Sequence, residues 1–338
     1  MQYPSHIAVA PVGHYPTPLE ELPALSKIID GPRIWVKRDD LTGVAMGGSK
    51  TRALATLLGD ALSKGADTVI TCGPVTSNHT RITAAAANRL GLNTILVLRH
   101  PGDCPPGQQA RQGNMLLNRL LGARIEYVAA NSLADLEPAM QHIAAELASR
   151  GKRPYVIPGG GYSPVGSLGY LGLAEELAQQ SARQGFMIDA VICASGSGCI
   201  QSGLILGKAF HDADYPVIGI TINRGVDELA ARIAGDVTRA SRLVGIELPL
   251  RPADIHILDG YNEHGYAVPS QAGMAAIELL AKTEGLLLDP CYTGKAMAGA
   301  LDLARTKFAA GQNIVFIHTG GSPAIFGYSN LLSRAEPQ

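Results

Sequence analysis

Short β-branched runs alternate with alanine- and leucine-rich stretches along most of this 338-residue chain, and that alternation limits its fold more than any other feature. The runs are 67-DTVITCG, 94-TILVLRH, 124-RIEYVA, 154-PYVIPGGG, 188-IDAVICASGSG, 216-PVIGITINR and 313-NIVFIHTGG. Helical stretches lie between them: 51-TRALATLLGDALSKG, 78-NHTRITAAAANRLG, 132-SLADLEPAMQHIAAELASRG, 168-LGYLGLAEELAQQ and 270-SQAGMAAIELLAKTEG. Such a pattern predicts an α/β protein with parallel sheets covered by helices. Right-handed crossovers then place the strand C-termini on one edge, where ligands bind. Two glycine clusters, Gly47–Gly48 and Gly159–Gly161, bracket a stretch with strand–helix units of its own. The expected division is a larger domain of residues 1–47 plus 160–338 and a smaller α/β domain of residues 48–159 inserted into it.

Charge and composition narrow the function. The 28 Lys and Arg against 29 Asp and Glu leave a net charge of −1, too little for a nucleic-acid footprint. No uncharged apolar stretch reaches the ~18 residues that span a bilayer. The first residues show no basic leader followed by an apolar core. Five cysteines (Cys72, Cys104, Cys193, Cys199, Cys291), none in a C-x-x-C pair, predict reduced thiols in a cytoplasm rather than disulfides or a zinc site. The nine histidines are scattered without metal-ligand spacing, so no metal is expected. A large α/β enzyme acting on a small molecule fits these limits, with no nucleic-acid or membrane partner.

Four strand-to-helix junctions are rich in small and polar residues. In 46-MGGSKTR, Lys50 follows two glycines at the start of a helix. The helix dipole there disfavours an ammonium, so Lys50 is either an exposed loop lysine or an amine held neutral for chemistry. In 73-GPVTSNHTR, Ser77 and Asn78 precede an alanine-rich helix. They fit an N-cap, or a carboxylate site built from the Ser77 hydroxyl and backbone N–H groups. The junction 195-SGSGCIQSG follows a strand directly and fits either a tight packing turn or a cradle for one phosphate. It lacks the third glycine of a dinucleotide fingerprint, since Gln201 stands there. The fourth junction, 318-HTGGSPAIFG, joins with 289-DPCYTGKAMAG to supply Tyr292, Thr293 and Thr319. One lysine, one phosphate cradle and hydroxyls at strand ends fit pyridoxal phosphate, which needs an amine, an anion site and a ring-nitrogen partner.

At these residues the sequence resembles the D-cysteine desulfhydrase / aminocyclopropane-carboxylate deaminase family, including its L-cysteate sulfo-lyase branch. The likeness runs from 16-PTPLEELPALS and 35-WVKRDDLTGVAMGGSK through 77-SNHTRITAAAA and 155-YVIPGGG to 286-LLLDPCYTGKAMAG and 314-IVFIHTGGSPAIFGY. The resemblance implies the tryptophan-synthase-β-like fold (pyridoxal-phosphate fold type II): two open, mostly parallel twisted sheets covered by helices, with the active site in the cleft between domains. It also implies pyridoxal 5'-phosphate as cofactor, a small amino-acid substrate and a homodimer. Lys50 matches the lysine that takes the cofactor's aldehyde. Ser77 matches the serine that meets the substrate carboxylate, and Asn78 the asparagine that meets the cofactor's phenolic oxygen. Ser197, Gly198, Cys199 and Ile200 fall on the phosphate loop, and Tyr266 and Tyr292 match two active-site tyrosines.

Several positions depart from the family pattern. The phosphate loop ends in Ile200 instead of Thr, and a phosphate-binding lysine three residues after the reactive one is here Ala53. Ser49, Thr76 and Tyr162 replace Asn, Gln and a small serine. The expectation is a phosphate held mainly by backbone, with help from Arg52. The deaminases carry Glu and Leu where this chain has Thr293 and Thr319, the expected neighbours of the ring nitrogen. A hydroxyl leaves that nitrogen nearly neutral, a weaker electron sink that suffices when a thiolate or sulfite leaves. β-Elimination in the manner of D-cysteine desulfhydrase is therefore expected over cyclopropane opening. The alternatives are L-cysteate sulfo-lyase, which requires a sulfonate-binding cation near Tyr162 or Tyr266, aminocyclopropane-carboxylate deaminase, and a racemase or a binding-only relative.

Overall fold

A computed structural model describes residues 3–99, 112–263 and 265–332; Cys104 lies outside the described residues. Among the described residues there are ten strands, β1 (Leu19–Glu21), β2 (Arg33–Lys37), β3 (Thr68–Gly73), β4 (Asn93–Arg99), β5 (Arg124–Val128), β6 (Pro154–Ile157), β7 (Ala190–Ser195), β8 (Val217–Thr221), β9 (His256–Leu258) and β10 (Asn313–Ile317). They form a six-stranded sheet in the order β1-β2-β10-β7-β8-β9 and a four-stranded sheet in the order β5-β4-β3-β6. Every pairing is parallel except β1 with β2. All seven β-branched runs read from the sequence form strands. Of the three others, β1 and β9 have three residues each and form the two edges of the larger sheet, and the five-residue β2 lies between β1 and β10.

Burial explains which runs were recognisable. Every residue of β3, β7 and β10 is buried, as central parallel strands with both faces covered require. At the sheet margin, β5 is only half-buried and mixes Arg124 and Glu126 with Ile125 and Val128. One hydrophobic core serves both sheets, combining Leu54, Leu57 and Val69 with Val191, Leu204 and Val315. Helix Lys50–Ser63 lies within it. Its close fit depends on absent side chains: a Cβ on Gly169 would stand 2.0 Å from the Arg52 carbonyl oxygen.

Strand order positions the cleft. In the larger sheet the chain runs from β7 outward through β8 and β9, then returns to place β10 on the other side of β7. In the smaller sheet β3, β4 and β5 run one way and β6 falls on the other side of β3. Each sheet therefore has a switch point where loops diverge and leave a crevice. The loops after β7 and β10, and those after β3 and β6, all line one cavity.

Candidate active site

The cavity encloses about 500 Å³, within the usual range for a small-molecule site. Lys50, Ser77, Asn78, Ser197, Gly198, Ile200, Tyr266, Tyr292 and Thr319 all line it. Cys199 and Thr293 do not. The Cys199 side chain packs behind the turn with its thiol toward the Gly161 carbonyl oxygen (3.4 Å), and Thr293 is buried against Asp289.

Lys50 opens its helix after a turn of unusual backbone. Ala45, Met46, Gly47 and Gly48 all have positive φ (44°, 67°, 70° and 131°). That run places strain directly before the lysine. A Cβ on Gly47 would stand 1.7 Å from the Asp40 carbonyl oxygen, so only glycine fits. The Lys50 amine donates to the Gly160 carbonyl oxygen at 2.7 Å, linking the helix start to the glycine turn after β6. Burial lowers its pKa; the other ionisable group acting on it is the Cys199 thiol, and no carboxylate opposes the shift. The same cavity wall holds His79, whose pKa burial, aided by the Lys50 charge, brings down to about 3. Thr71 spends its hydroxyl proton on the Ile157 carbonyl oxygen (2.8 Å), so it accepts from His79 Nε2 at 2.9 Å. The imidazole is thus neutral, with its lone pair on Nδ1.

Helix Asn78–Arg89 presents its N-terminus to the cavity. Ser77 caps it, accepting from the Thr80 N–H at 3.2 Å, and its hydroxyl proton stays available to donate. Capping and ligand binding are therefore compatible at this serine. Asn78 Oδ1 accepts from Arg81 (3.1 Å) and Asn114 (2.9 Å), which leaves its amide nitrogen as the donor toward the cavity. Arg81 is itself buried and anchored to the Gly47 carbonyl oxygen at 2.7 Å. It ties the Asn78 helix to the Lys50 turn.

The turn after β7 reaches helix Cys199–Phe210 through Gly198, at φ 92°. A Cβ there would meet Ile233 Cγ1 at 2.9 Å. The first N–H groups of this 12-residue helix have no intrahelical acceptor and suit a bound anion. Cys199 contributes backbone only, because burial raises its thiol pKa to about 11.

Tyr266 and Tyr292 share a hydroxyl–hydroxyl hydrogen bond, with rings edge to face at 5.9 Å. Burial pushes both phenols well above their ordinary value. Asp289 fixes Tyr292: its carboxylate accepts from the N–H groups of Cys291 (2.8 Å), Tyr292 (2.8 Å) and Thr293 (3.1 Å) and from the Thr293 hydroxyl (2.7 Å). Sequence reasoning quoted 289-DPCYTG without singling out this aspartate, although an Asp–Pro ahead of a helix is a capping signal.

Arg52 corrects an expectation. It points away from the cavity and is held by Asp39 and Glu176, both at 2.8–2.9 Å, so it cannot assist a phosphate there. The cations that do line the cavity are Lys50, Arg99, Arg224 and Arg232; the sequence reading singled out only the first. Among the described residues no group of three His, Cys, Asp or Glu is placed to hold a metal, and no helix is long and apolar enough to cross a membrane.

Similarity to known proteins identifies the family and the fold. The chain is 44% identical over 314 residues to D-cysteine desulfhydrase of Salmonella choleraesuis (strain SC-B67), covering 93% of this chain and 94% of that one. A solved structure described as an ACC deaminase homologue superposes with a TM-score of 0.89 at 38% identity, covering 98% of this chain and 97% of the other. A fungal L-serine ammonia-lyase from Rhizomucor miehei shares the fold, with a TM-score of 0.67 at 20% identity over 95% and 97% of the two chains. Residues 11–320 match the family described as "Pyridoxal-phosphate dependent enzyme", and the chain belongs to that family.

Proposed function

We propose that this protein is a pyridoxal-phosphate-dependent carbon–sulfur lyase of the D-cysteine desulfhydrase kind, releasing sulfide, pyruvate and ammonia from a small amino acid. The observation that carries the reading is a desolvated lysine amine without a carboxylate partner, sharing one cavity with a protonated tyrosine pair. The 44% identity to a named D-cysteine desulfhydrase supports the choice of substrate.

The residues present fit the cofactor. Lys50 would hold its aldehyde, the helix start at Ser197–Ile200 its phosphate, the Asn78 amide its phenolic oxygen, and Thr319 would stand at the ring nitrogen. When bound, pyridoxal phosphate supplies the electron sink that makes an amino acid's α-proton acidic. The chain's own groups do the rest. The lowered pKa of Lys50 keeps a neutral amine available to remove that proton. The Ser77 hydroxyl and the N-terminus of helix Asn78–Arg89 orient the substrate carboxylate. Of the hydrogen-bonded pair Tyr266 and Tyr292, both protonated at neutral pH, one hydroxyl donates to the other and the second donates toward the departing sulfur as the C–S bond breaks and its electron pair leaves on sulfur. The Asp289 carboxylate is fully engaged by four donors and lies outside the cavity lining. That arrangement supports elimination over cyclopropane opening, which asks for a stronger electron sink.

Further parts of the same proposal are the division into residues 1–47 plus 160–338 and 48–159, a homodimer, and a cytoplasmic location. The location is supported by four described cysteines that are all free and buried.

The test is a side-by-side product assay of D-cysteine and aminocyclopropane-carboxylate on wild type and Lys50→Ala. Sulfide and pyruvate from D-cysteine, lost by more than ~10³-fold in the variant together with the bound cofactor's visible absorbance, is the expected result. Turnover by Lys50→Ala at the wild-type rate would overturn the assignment.

A further inference from the structure

We propose that Arg81 is a positioning residue that acts through Asn78: its buried guanidinium fixes which way the amide faces and sets a positive charge behind it, favouring the anionic form of the cofactor's phenolic oxygen. The inference rests on the cofactor reading above and gives a role to a residue outside the cavity lining.

Two buried arginines differ in their partners. Arg52 is neutralised by Asp39 and Glu176. The Arg81 side chain is equally buried, yet no carboxylate among the described residues forms an ion pair with it. Its terminal nitrogens donate to three neutral acceptors: Asn78 Oδ1 (3.1 Å), Asn114 Oδ1 (2.7 Å) and the Gly47 carbonyl oxygen (2.7 Å). Its Nε meets no acceptor among the described residues. Burial brings its pKa down to about 10, against the more distant pull of Asp289, so it stays charged at neutral pH. A buried cation without a counter-ion costs free energy that an approaching anion recovers.

The same contacts settle the direction of the Asn78 amide. A guanidinium only donates, so the Asn78 and Asn114 atoms facing it are oxygens. The Asn114 amide nitrogen then donates to the Thr76 carbonyl oxygen (2.5 Å) and to Asn78 Oδ1 (2.9 Å). Asn78 Oδ1 thus accepts from two donors, one of them charged, and that polarises the amide and strengthens its nitrogen as a donor. The guanidinium also sits under the floor of the site. A Cβ on Gly48 would stand 3.8 Å from Arg81 Nη2 and 3.2 Å from the Thr319 carbonyl oxygen. Arg81 therefore backs Asn78, Thr319 and the turn before Lys50 without lining the cavity itself.

The consequence is electrostatic. A fixed cation behind the site disfavours a further positive charge on the lysine-bound cofactor, so it lowers the pH at which that group gives up its proton. The other ionisable groups acting at Lys50 stay neutral across the range of such a titration. Burial holds the Cys199 thiol up at about 11 and the His79 imidazole down at about 3.

The test follows the visible absorbance of the cofactor-saturated protein with pH for wild type, Arg81→Gln, Arg81→Lys and Asn114→Asp. Arg81→Gln removes the charge, and its midpoint should rise by roughly 1 pH unit. Arg81→Lys keeps the charge and should return the midpoint to within about 0.3 of wild type. Asn114→Asp keeps the arginine, sets a carboxylate against it and should also raise the midpoint, which a purely structural role for Arg81 does not predict. If Arg81→Gln does not fold, Asn114→Asp decides the question. A midpoint within about 0.3 of wild type in Arg81→Gln or in Asn114→Asp overturns the inference, as does an Arg81→Lys midpoint as high as that of Arg81→Gln. In each of those cases the wild-type absorbance, and with it the cofactor reading, still stands. Wild type that develops no such absorbance on loading overturns both.

Discussion

Lys50 and Arg52 stand two residues apart in one helix, and the protein treats their charges in opposite ways. Arg52 is buried between Asp39 and Glu176, and those carboxylates hold its pKa well above the ordinary value against the cost of burial. Lys37 joins the same cluster, 2.6 Å from Glu176. Lys50 meets no carboxylate, only a backbone carbonyl and a thiol, and burial drives its pKa down. The inner side of the helix thus secures a permanent cation that joins elements distant in sequence. The cavity side keeps an amine ready to lose its proton. Similar burial gives structure in one case and chemistry in the other, and the carboxylates decide which.

Substitutions at the two positions should separate cleanly. Lys50→Ala should lose more than ~10³-fold in turnover while changing stability by no more than about 1 kcal/mol, since it removes a desolvated amine with a single hydrogen bond. Arg52→Leu should do the reverse. Removing Arg52 leaves the buried Asp39 carboxylate without its cation and Glu176 with Lys37 alone, which costs roughly 3–5 kcal/mol, read as a lowered denaturation midpoint. An Arg52→Leu protein of wild-type stability would break the contrast.

His79 sharpens the cavity side. Its folded pKa of about 3 lies below its unfolded value, so the unfolded chain binds the extra proton first as pH falls. The stability it contributes is complete above about pH 6.5 and is lost progressively toward pH 3. Wild type should lose roughly 2 kcal/mol from this group between pH 6.5 and 5. His79→Gln should show a correspondingly flatter pH–stability curve, and equal slopes would contradict the assignment. The smallest effect is expected at Ser77. Ser77→Ala should raise KM about tenfold through the lost substrate contact and cost about 1 kcal/mol through the lost cap. An unchanged KM would leave Ser77 a cap only.

The central strands were legible because β3, β7 and β10 are wholly buried and their sequences are continuous apolar runs. β1 and β9, three residues each, carry too little pattern to stand out. Helix Cys199–Phe210 is apolar and glycine-interrupted, so it shows little periodicity. Helix Val226–Leu243 has an amphipathic pattern and went unread, and with it Arg232. The candidate site's lysine, serine, asparagine and Tyr292 were legible because each stands at a junction rich in small and polar residues, whereas Tyr266 was legible only through the family resemblance. Arg81, Asn114 and Asp289 were not singled out. The first two are known by contacts between residues 33 apart or more, and Asp289 by a cap that only the folded turn reveals.

The most direct measurement locates the reactive amine itself. The protein is loaded with pyridoxal phosphate, treated with borohydride to fix any covalent attachment, digested and mapped by mass spectrometry. The pyridoxyl group should be found on the peptide containing Lys50, in stoichiometric yield and with attachment rising at a pH below the ordinary lysine range. Label on a different lysine, or none on the loaded protein, would contradict the account.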